Sequence, residues 1–376
     1  MEPNREHEML NPARLEFART RRKWTKAKLA QALGVQSRSI QGYESGEYAP
    51  EPERLTLISK LLAFPEDFFY GDDLPKISEH TASFRSMSKM SAALKESALG
   101  AGSLAFVLNG WIESRFNLPV ADLPDLSDLS PEDAAATLRR IWGLGEAPIS
   151  NMIHLLESKG VRVYSLAIEA REVDAFSVWH NNTPFVFLNT FKSAEHSRFD
   201  VGHELGHLVR DSHSMLHGNA HSPEMEREAN AFASAFLMPR NSVVAHKPDL
   251  PTVPQLIELK SFFGVSLAAL AYRMNQLGLL TEWTYRSLCI DIAKKGYRTK
   301  EPKPMRQETS QMLAKVFEVL RSENIKKSAI ASELCLLVED LDNLTFGLTI
   351  SGVATSGMTE RGIASKSNRN DLRLVK

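Results

Sequence analysis

From Asn11 to about Lys60 the apolar residues recur at helical spacing, and the breaks fall at Gly34, Gly46 and the Pro50/Pro52 pair. Four short helices are predicted. Asn11-Pro12 supplies an N-cap with proline at the first helical position, and Thr25 caps a second helix, KAKLAQAL, that stops at Gly34. Gln36 or Ser37 opens a third, RSIQGYE, and EPERLTLISKLLA makes the fourth. The pattern loosens over 72–88, then resumes as helix to about Phe116. Residues 118–131 are rich in Pro, Asp and Leu and read as a loop, ended by the helix start Ser130-Pro131-Glu132-Asp133. Beyond one further helix, the short β-branched or aromatic runs 161–166, 174–179 and 184–189, separated by turn residues such as His180-Asn181-Asn182, predict three strands, at least two of them a hairpin. Helical spacing returns at about 195–210, 225–237, 253–263 and 266–277, and as short helices over 310–344. No internal repeat of fixed period is visible, and 351–376 is polar and reads as a disordered tail.

At 376 residues the chain is long enough for two or three domains, and with 43% hydrophobic residues it has ample material for cores. The net charge of -1 removes any global cationic field, so nucleic-acid affinity must come from local clustering. Cys289 and Cys335 stand far apart without CxxC spacing, which excludes a disulfide framework and a zinc ribbon and leaves both as buried small hydrophobes. The polar start MEPNREHEML and the lack of an apolar run of roughly 18 residues argue against export and membrane insertion. A cytoplasmic protein is expected.

Within the helix at 195–210 stands His203-Glu204-Leu205-Gly206-His207. Residues four apart share a helix face, so both imidazoles can reach one metal ion, while Glu204 lies about 100° round and can touch a water instead. A catalytic zinc takes three protein ligands and keeps a position open. The third is expected at Glu226, in MEREANAFASAFLMP, because Asn230 follows it by four and can accept from the free ring N–H of His203. Glu228 is the competitor and has no such partner. His213, His217 and His221 read as solvated loop histidines, and no transition-state donor is identifiable.

HELGHLV followed by EREANAFASAFLMP resembles the ImmA/IrrE-type metallo-endopeptidases, and the likeness spans about 161–239. Arg210-Asp211 departs from the Leu-His that often follows HELGHL in that family. The resemblance implies a gluzincin-like peptidase with one zinc per chain on His203, His207 and Glu226, and Glu204 as general base. The strand at 184–189 or that at 174–179 is expected to offer a sheet edge to an extended substrate.

Between Arg14 and Arg38 there are eight basic residues against one acid, Glu16. Small Ala30 permits close helix approach and Gly34 a tight turn, and WTKAKLAQALGVQSRSIQGYESGEYAPEPERLTLISKLL resembles the helix-turn-helix of XRE/Cro-type regulators over about 11–72. In such a fold the third helix enters the major groove, so Ser37, Arg38 and Gln41 are the candidate base readers, and Lys26 and Lys28 the candidate phosphate contacts.

The expected fold is α+β, mostly α: a helix-turn-helix domain (1–73), a helical connecting region (74–130), a peptidase domain with a small sheet against the HExxH helix (131–285), C-terminal helices (286–350) and the tail (351–376). The expected function is a DNA-binding regulator, a homodimer on a roughly palindromic duplex site, whose peptidase hydrolyses a protein, by resemblance a repressor encoded nearby. The competing reading is a regulator or antitoxin-like protein whose metallopeptidase domain is a non-hydrolytic structural or sensing module.

Overall fold

The computed structural model describes residues 9–77, 90–166, 175–211 and 222–346. The chain divides into two compact units that do not follow chain order. One gathers Met1–Pro75, Ser103–Leu118 and Gln311–Lys376, the other Lys76–Gly102 and Pro119–Ser310. The C-terminal helices therefore join the N-terminal ones in one unit, and the stretch between the first helices and the sheet is shared out between the two. Nothing in the one-dimensional pattern signals that return.

In the first unit, α1 (Pro12–Arg21), α2 (Lys26–Leu33), α3 (Ser37–Ser45) and α4 (Pro52–Leu62) occur where the spacing placed them. Asn11 Oδ1 accepts from the Ala13 amide at 2.9 Å and Thr25 Oγ1 from the Lys28 amide at 3.1 Å, satisfying amides that an N-terminal turn leaves open. Gly34 ends α2 at φ 66°, a left-handed conformation that costs glycine little. Leu15, Ala18, Leu29, Ile40, Leu55 and Ile58 bury one face of each helix. A 3-10 turn at Glu66–Tyr70, which the periodicity missed, adds Phe68 and Phe69 to that core. The long α5 (Ala92–Glu113) follows.

The second unit contains α6 (Pro131–Ile141), α7 (Met152–Ser158), β1 (Arg162–Ser165), β2 (Phe176–His180) and β3 (Thr183–Leu188). It continues with α8 (Ala194–Arg210), α9 (Pro223–Leu237), α10 (Arg240–His246), α11 (Val253–Phe263), α12 (Leu267–Gln276) and α13 (Glu282–Lys294). The sheet order is β1-β3-β2, with β1 parallel and β2 antiparallel to β3. Asn181 and Asn182, at φ 49° and 59°, form the two-residue turn of the expected hairpin. Because β3 is flanked on both sides, the strand at 184–189 offers no edge, and β2 is the edge beside it.

Helix α8 lies on β2 and β3 and packs along α9. The α8–α9 seam is close because Gly202 and Gly206 carry no side chain: a Cβ at Gly206 would stand 3.0 Å from Phe232 Cδ1. The first turn of α8 is anchored by Glu195, whose Oε1 accepts from buried Lys260 at 2.8 Å and from the Met305 amide at 3.0 Å. A buried charge of this kind holds only when paired.

After the second unit the chain forms α14 (Gln311–Ser322), α15 (Lys327–Glu333) and α16 (Val338–Leu344), which belong to the first unit. Cys289 and Cys335 are of intermediate exposure, not the fully buried residues expected. Among the described residues no single helix is long and apolar enough to cross a membrane. The tail at 351–376 and His213, His217 and His221 lie outside the described residues.

Candidate functional site

Helix α8 projects His203 and His207 from one face, and α9 brings Glu226 from its first turn across the glycine seam. Ligand atoms of the three side chains lie within 4.8 Å of one another, and all three residues are buried. The two Nε2 atoms are 3.0 Å apart, and Glu226 oxygens stand 3.4 Å from His203 Nε2 and 3.6 Å from His207 Nε2.

The surrounding hydrogen bonds fix what those nitrogens present. Asn230 Nδ2 donates to the Glu226 carbonyl at 2.8 Å, which leaves its Oδ1 to accept from His203 Nδ1 at 3.2 Å. His207 Nδ1 donates to Asp211 Oδ2 at 2.6 Å. With both Nδ1 atoms donating, both Nε2 atoms turn bare lone pairs toward each other and toward a carboxylate. Such an electron-rich trio repels itself unless a cation lies in its midst, and two imidazoles with one carboxylate suit a divalent ion of the zinc type. The residues present therefore fit a metal. Without one, the proton takes that place. Burial alone would lower the His207 pKa, but the bonds to Asp211 and Glu226 outweigh it and raise it to about 10. Glu226 responds in the opposite sense. Burial would raise its pKa, but His203 and His207 hold it down to about 2.

Glu228 is not in the trio; it pairs with Arg210 at 3.1 Å. Glu204 also stands apart from the trio, as its position on the helix predicts. Its carboxylate is buried, and Oε2 accepts from the Ser177 hydroxyl on β2 at 2.7 Å. A cleft of about 710 Å³ opens beside Asn230, lined among others by Phe199, Arg227, Ala231 and Tyr272.

Ser177 and Asp211 were missed from sequence. Asp211 carried a legible signal, since it follows His207 by four and Asp-His pairs at that spacing can bond. Ser177 carried none, because it meets Glu204 only once the hairpin packs on α8.

On the first unit, Ser37, Arg38 and Gln41 are exposed at the N-terminal end of α3, and Lys28 is exposed on α2 with its ammonium 4.3 Å over the Trp24 ring. Lys26 is half-tied: Glu44 holds it at 3.2 Å and holds Arg19 at 2.5 Å. The basic cluster is thinner at the surface than its composition suggested. Arg14 bonds the Asp72 carbonyl at 2.7 Å and lies over Phe68, while Arg19 and Arg21 are buried. Arg22 donates to the Leu62 and Ala63 carbonyls, both at 2.8 Å. The Arg22 guanidinium thus closes the end of α4, where bare carbonyls need donors, while Arg19 is held by Glu44 and the Trp24 carbonyl.

A model of the IrrE N-terminal-like domain, peptidase M78, matches residues 156–275, and a helix-turn-helix model matches residues 15–69. The chain thus carries a helix-turn-helix domain and, downstream, an IrrE-like peptidase M78 domain. No curated protein matches it. The M78 match contains the trio, Glu204, Ser177, Asp211 and Asn230, and the helix-turn-helix match contains α2, α3 and every candidate reader.

Proposed function

We propose that this protein is a cytoplasmic DNA-binding regulator whose M78 domain is a zinc endopeptidase acting on a protein, by its kinship a transcriptional repressor encoded nearby. The observation that carries the enzymatic reading is Glu204. A site that only held a metal for structure would have no use for a second buried carboxylate beside its ligands. Zinc on His203, His207 and Glu226 would supply Lewis acidity toward a peptide carbonyl and make a neighbouring water more acidic. The chain's own residues do the rest. Glu204 takes a proton from that water and returns it to the leaving amine, with Ser177 fixing the carboxylate's rotamer through Oε2. Asn230 and Asp211 hold the imidazoles in the ligating tautomer. Strand β2, at the sheet edge, can pair with an extended substrate, and the cleft beside Asn230 can take one of its side chains.

The DNA-binding half of the reading rests on the exposed N-terminal end of α3, with Arg38 as the residue able to fork onto guanine. The deciding experiment incubates zinc-loaded wild type and Glu204→Gln with the product of a neighbouring repressor gene and detects new termini by mass spectrometry. Glu204→Gln should keep zinc and fold and lose cleavage by about 10²- to 10⁴-fold. Equal cleavage by both removes Glu204 from the mechanism, and no cleavage of any neighbouring protein by the wild type refutes the peptidase reading.

A further inference from the structure

The C-terminal helices repeat the backbone plan of the N-terminal ones at a single offset of 301 residues (34 to 335, 23 to 324). α1 ends at Arg21 and α14 at Ser322; α2 starts at Lys26 and α15 at Lys327; α3 starts at Ser37 and α16 at Val338. The two left-handed residues of the first set, Lys23 (φ 60°) and Gly34 (φ 66°), are matched by Asn324 (φ 60°) and Cys335 (φ 53°). The hydrogen bonds that close both turns are matched as well. Trp24 N donates to the Arg19 carbonyl at 3.0 Å and Ile325 N to that of Leu320 at 2.8 Å. Val35 N donates to the Ala30 carbonyl at 3.0 Å and Leu336 N to that of Ala331 at 2.8 Å. The core positions Leu15, Leu29, Ala30, Ile40 and Tyr43 correspond to Val316, Ile330, Ala331, Leu341 and Leu344, all of them buried.

Only four of the paired positions from 11 to 45 keep the same residue, at Ala13/Ala314, Lys26/Lys327, Ala30/Ala331 and Leu33/Leu334. That is why no repeat shows in the sequence. A generic three-helix arrangement would fix neither linker lengths nor two left-handed residues at one common offset. Since Cys335 has a Cβ, it occupies that conformation at a cost, so the turn is held by its surroundings.

The chemistry of the third helix has changed sign. Where the N-terminal set shows Ser37, Arg38 and Gln41, the C-terminal set has Val338, Glu339 and Asp342, with Asn343 beside them. Phosphates would be repelled by Glu339, and Asp342 is already paired with the Lys327 ammonium. Asp340, in the place of Ser39, is buried and takes both arms of the Arg22 guanidinium, at 2.9 and 2.7 Å. That guanidinium also holds the end of α4 through the Leu62 and Ala63 carbonyls and lies 4.5 Å over the Phe64 ring.

We infer that residues 311–346 are a second helix-turn-helix unit whose third helix has turned from nucleic acid to protein, and whose partner is the Arg22 flank of the first. This C-terminal helix-turn-helix docks by Asp340 on the end of α1 and α4. It leaves the exposed end of α3 to the DNA, and it makes the N-terminal domain depend on residues more than 250 positions downstream.

Hydrogen exchange by mass spectrometry on the full chain, without DNA, tests the docking. Asp340→Ala should speed exchange of 12–21 and 52–62 at least tenfold together with 311–344, and leave α8 and α9 unchanged. Arg22→Lys, which keeps the charge but loses the fork, should give the same pattern more weakly, so a global collapse of the first variant does not remove the test. Unchanged exchange of 12–21 in both variants overturns the docking. The chemistry is tested separately by the exposed pair Glu339→Ala, Asn343→Ala, which should leave affinity for an operator duplex within twofold. A tenfold loss there would make the C-terminal helix-turn-helix a DNA reader and overturn the inference. Because the exchange arm contains no DNA, its outcome is independent of whether the first unit binds any.

Discussion

Removing Asp211 tests the electrostatics of the metal centre directly. In the metal-free protein Asp211 and Glu226 keep His207 protonated up to a pH of about 10, so at pH 7 zinc must first displace that proton. Three pH units correspond to about 4 kcal/mol, and the apparent zinc affinity of the wild type should rise about tenfold per pH unit from 6.5 to 8.5. Asp211→Ala acts in two opposed ways. It removes the carboxylate that orients the ring through a 2.6 Å bond, which at comparable zinc sites costs about 10- to 100-fold in affinity. It also lowers the His207 pKa toward its ordinary value, so less of the affinity is spent on the proton. The variant should therefore bind weakly at pH 8.5 and approach the wild type as pH falls, with a shallower slope. Competition against a chromophoric chelator across that range reads both quantities. The same group stabilises the metal-free fold: its folded pKa lies above the ordinary 6.5, so the contribution is complete below pH 6.5 and fades as pH rises through about 10. A wild-type zinc affinity independent of pH, or an Asp211→Ala slope equal to that of the wild type, would refute this account of the site.

Ser177→Ala should keep zinc and lower cleavage about tenfold, less than Glu204→Gln, because it frees a rotamer and leaves the base in place; unchanged cleavage would make the 2.7 Å bond irrelevant to turnover. Gly206→Ala sets a helix-propensity gain of about 1 kcal/mol against an overpacking cost of about 1–3 kcal/mol at Phe232, and should lower both the unfolding temperature and zinc affinity. Gly202→Ala, whose Cβ would meet Ala233 at an ordinary 3.5 Å, should be tolerated, and calorimetry with zinc titration of the two variants separates the cases. On DNA, Arg38→Ala should cost about 1–3 kcal/mol on the operator and little on random duplex, whereas Lys28→Ala should weaken both alike and flatten the salt dependence. Lys26→Ala should do less than Lys28→Ala because Glu44 already holds that ammonium; equal anisotropy shifts for all three variants on both duplexes would refute the docking of α3.

Sequence alone determined the local elements and singled out the His203, His207 and Glu226 cluster, because both are matters of short-range spacing. Helix caps act within a few residues, so Asn11, Thr25 and Gly34 bound their helices wherever the rest of the chain lies. Two histidines four apart on a helix share a face in any fold, and the i,i+4 step from Glu226 to Asn230 picked out the third member of the cluster and the amide that bonds His203. Tertiary structure alone decided what depends on contacts between distant segments. Pairing of β3 with both β1 and β2 put β3 in the middle of the sheet and left β2 on an edge, and the glycine seam at Gly202 and Gly206 set how closely α9 approaches α8. Packing placed Ser177 against Glu204, tied Arg14 and Arg22 to backbone carbonyls and Arg19 and Arg22 to carboxylates, and buried Arg21, so several charges that a count assigned to DNA serve the fold. The return of α14 to α16 to the N-terminal unit was hidden for the same reason. A backbone plan survives the replacement of nearly all its side chains so long as the buried positions stay apolar and the turns keep their conformations, and neither condition leaves a repeat that residue identities can show.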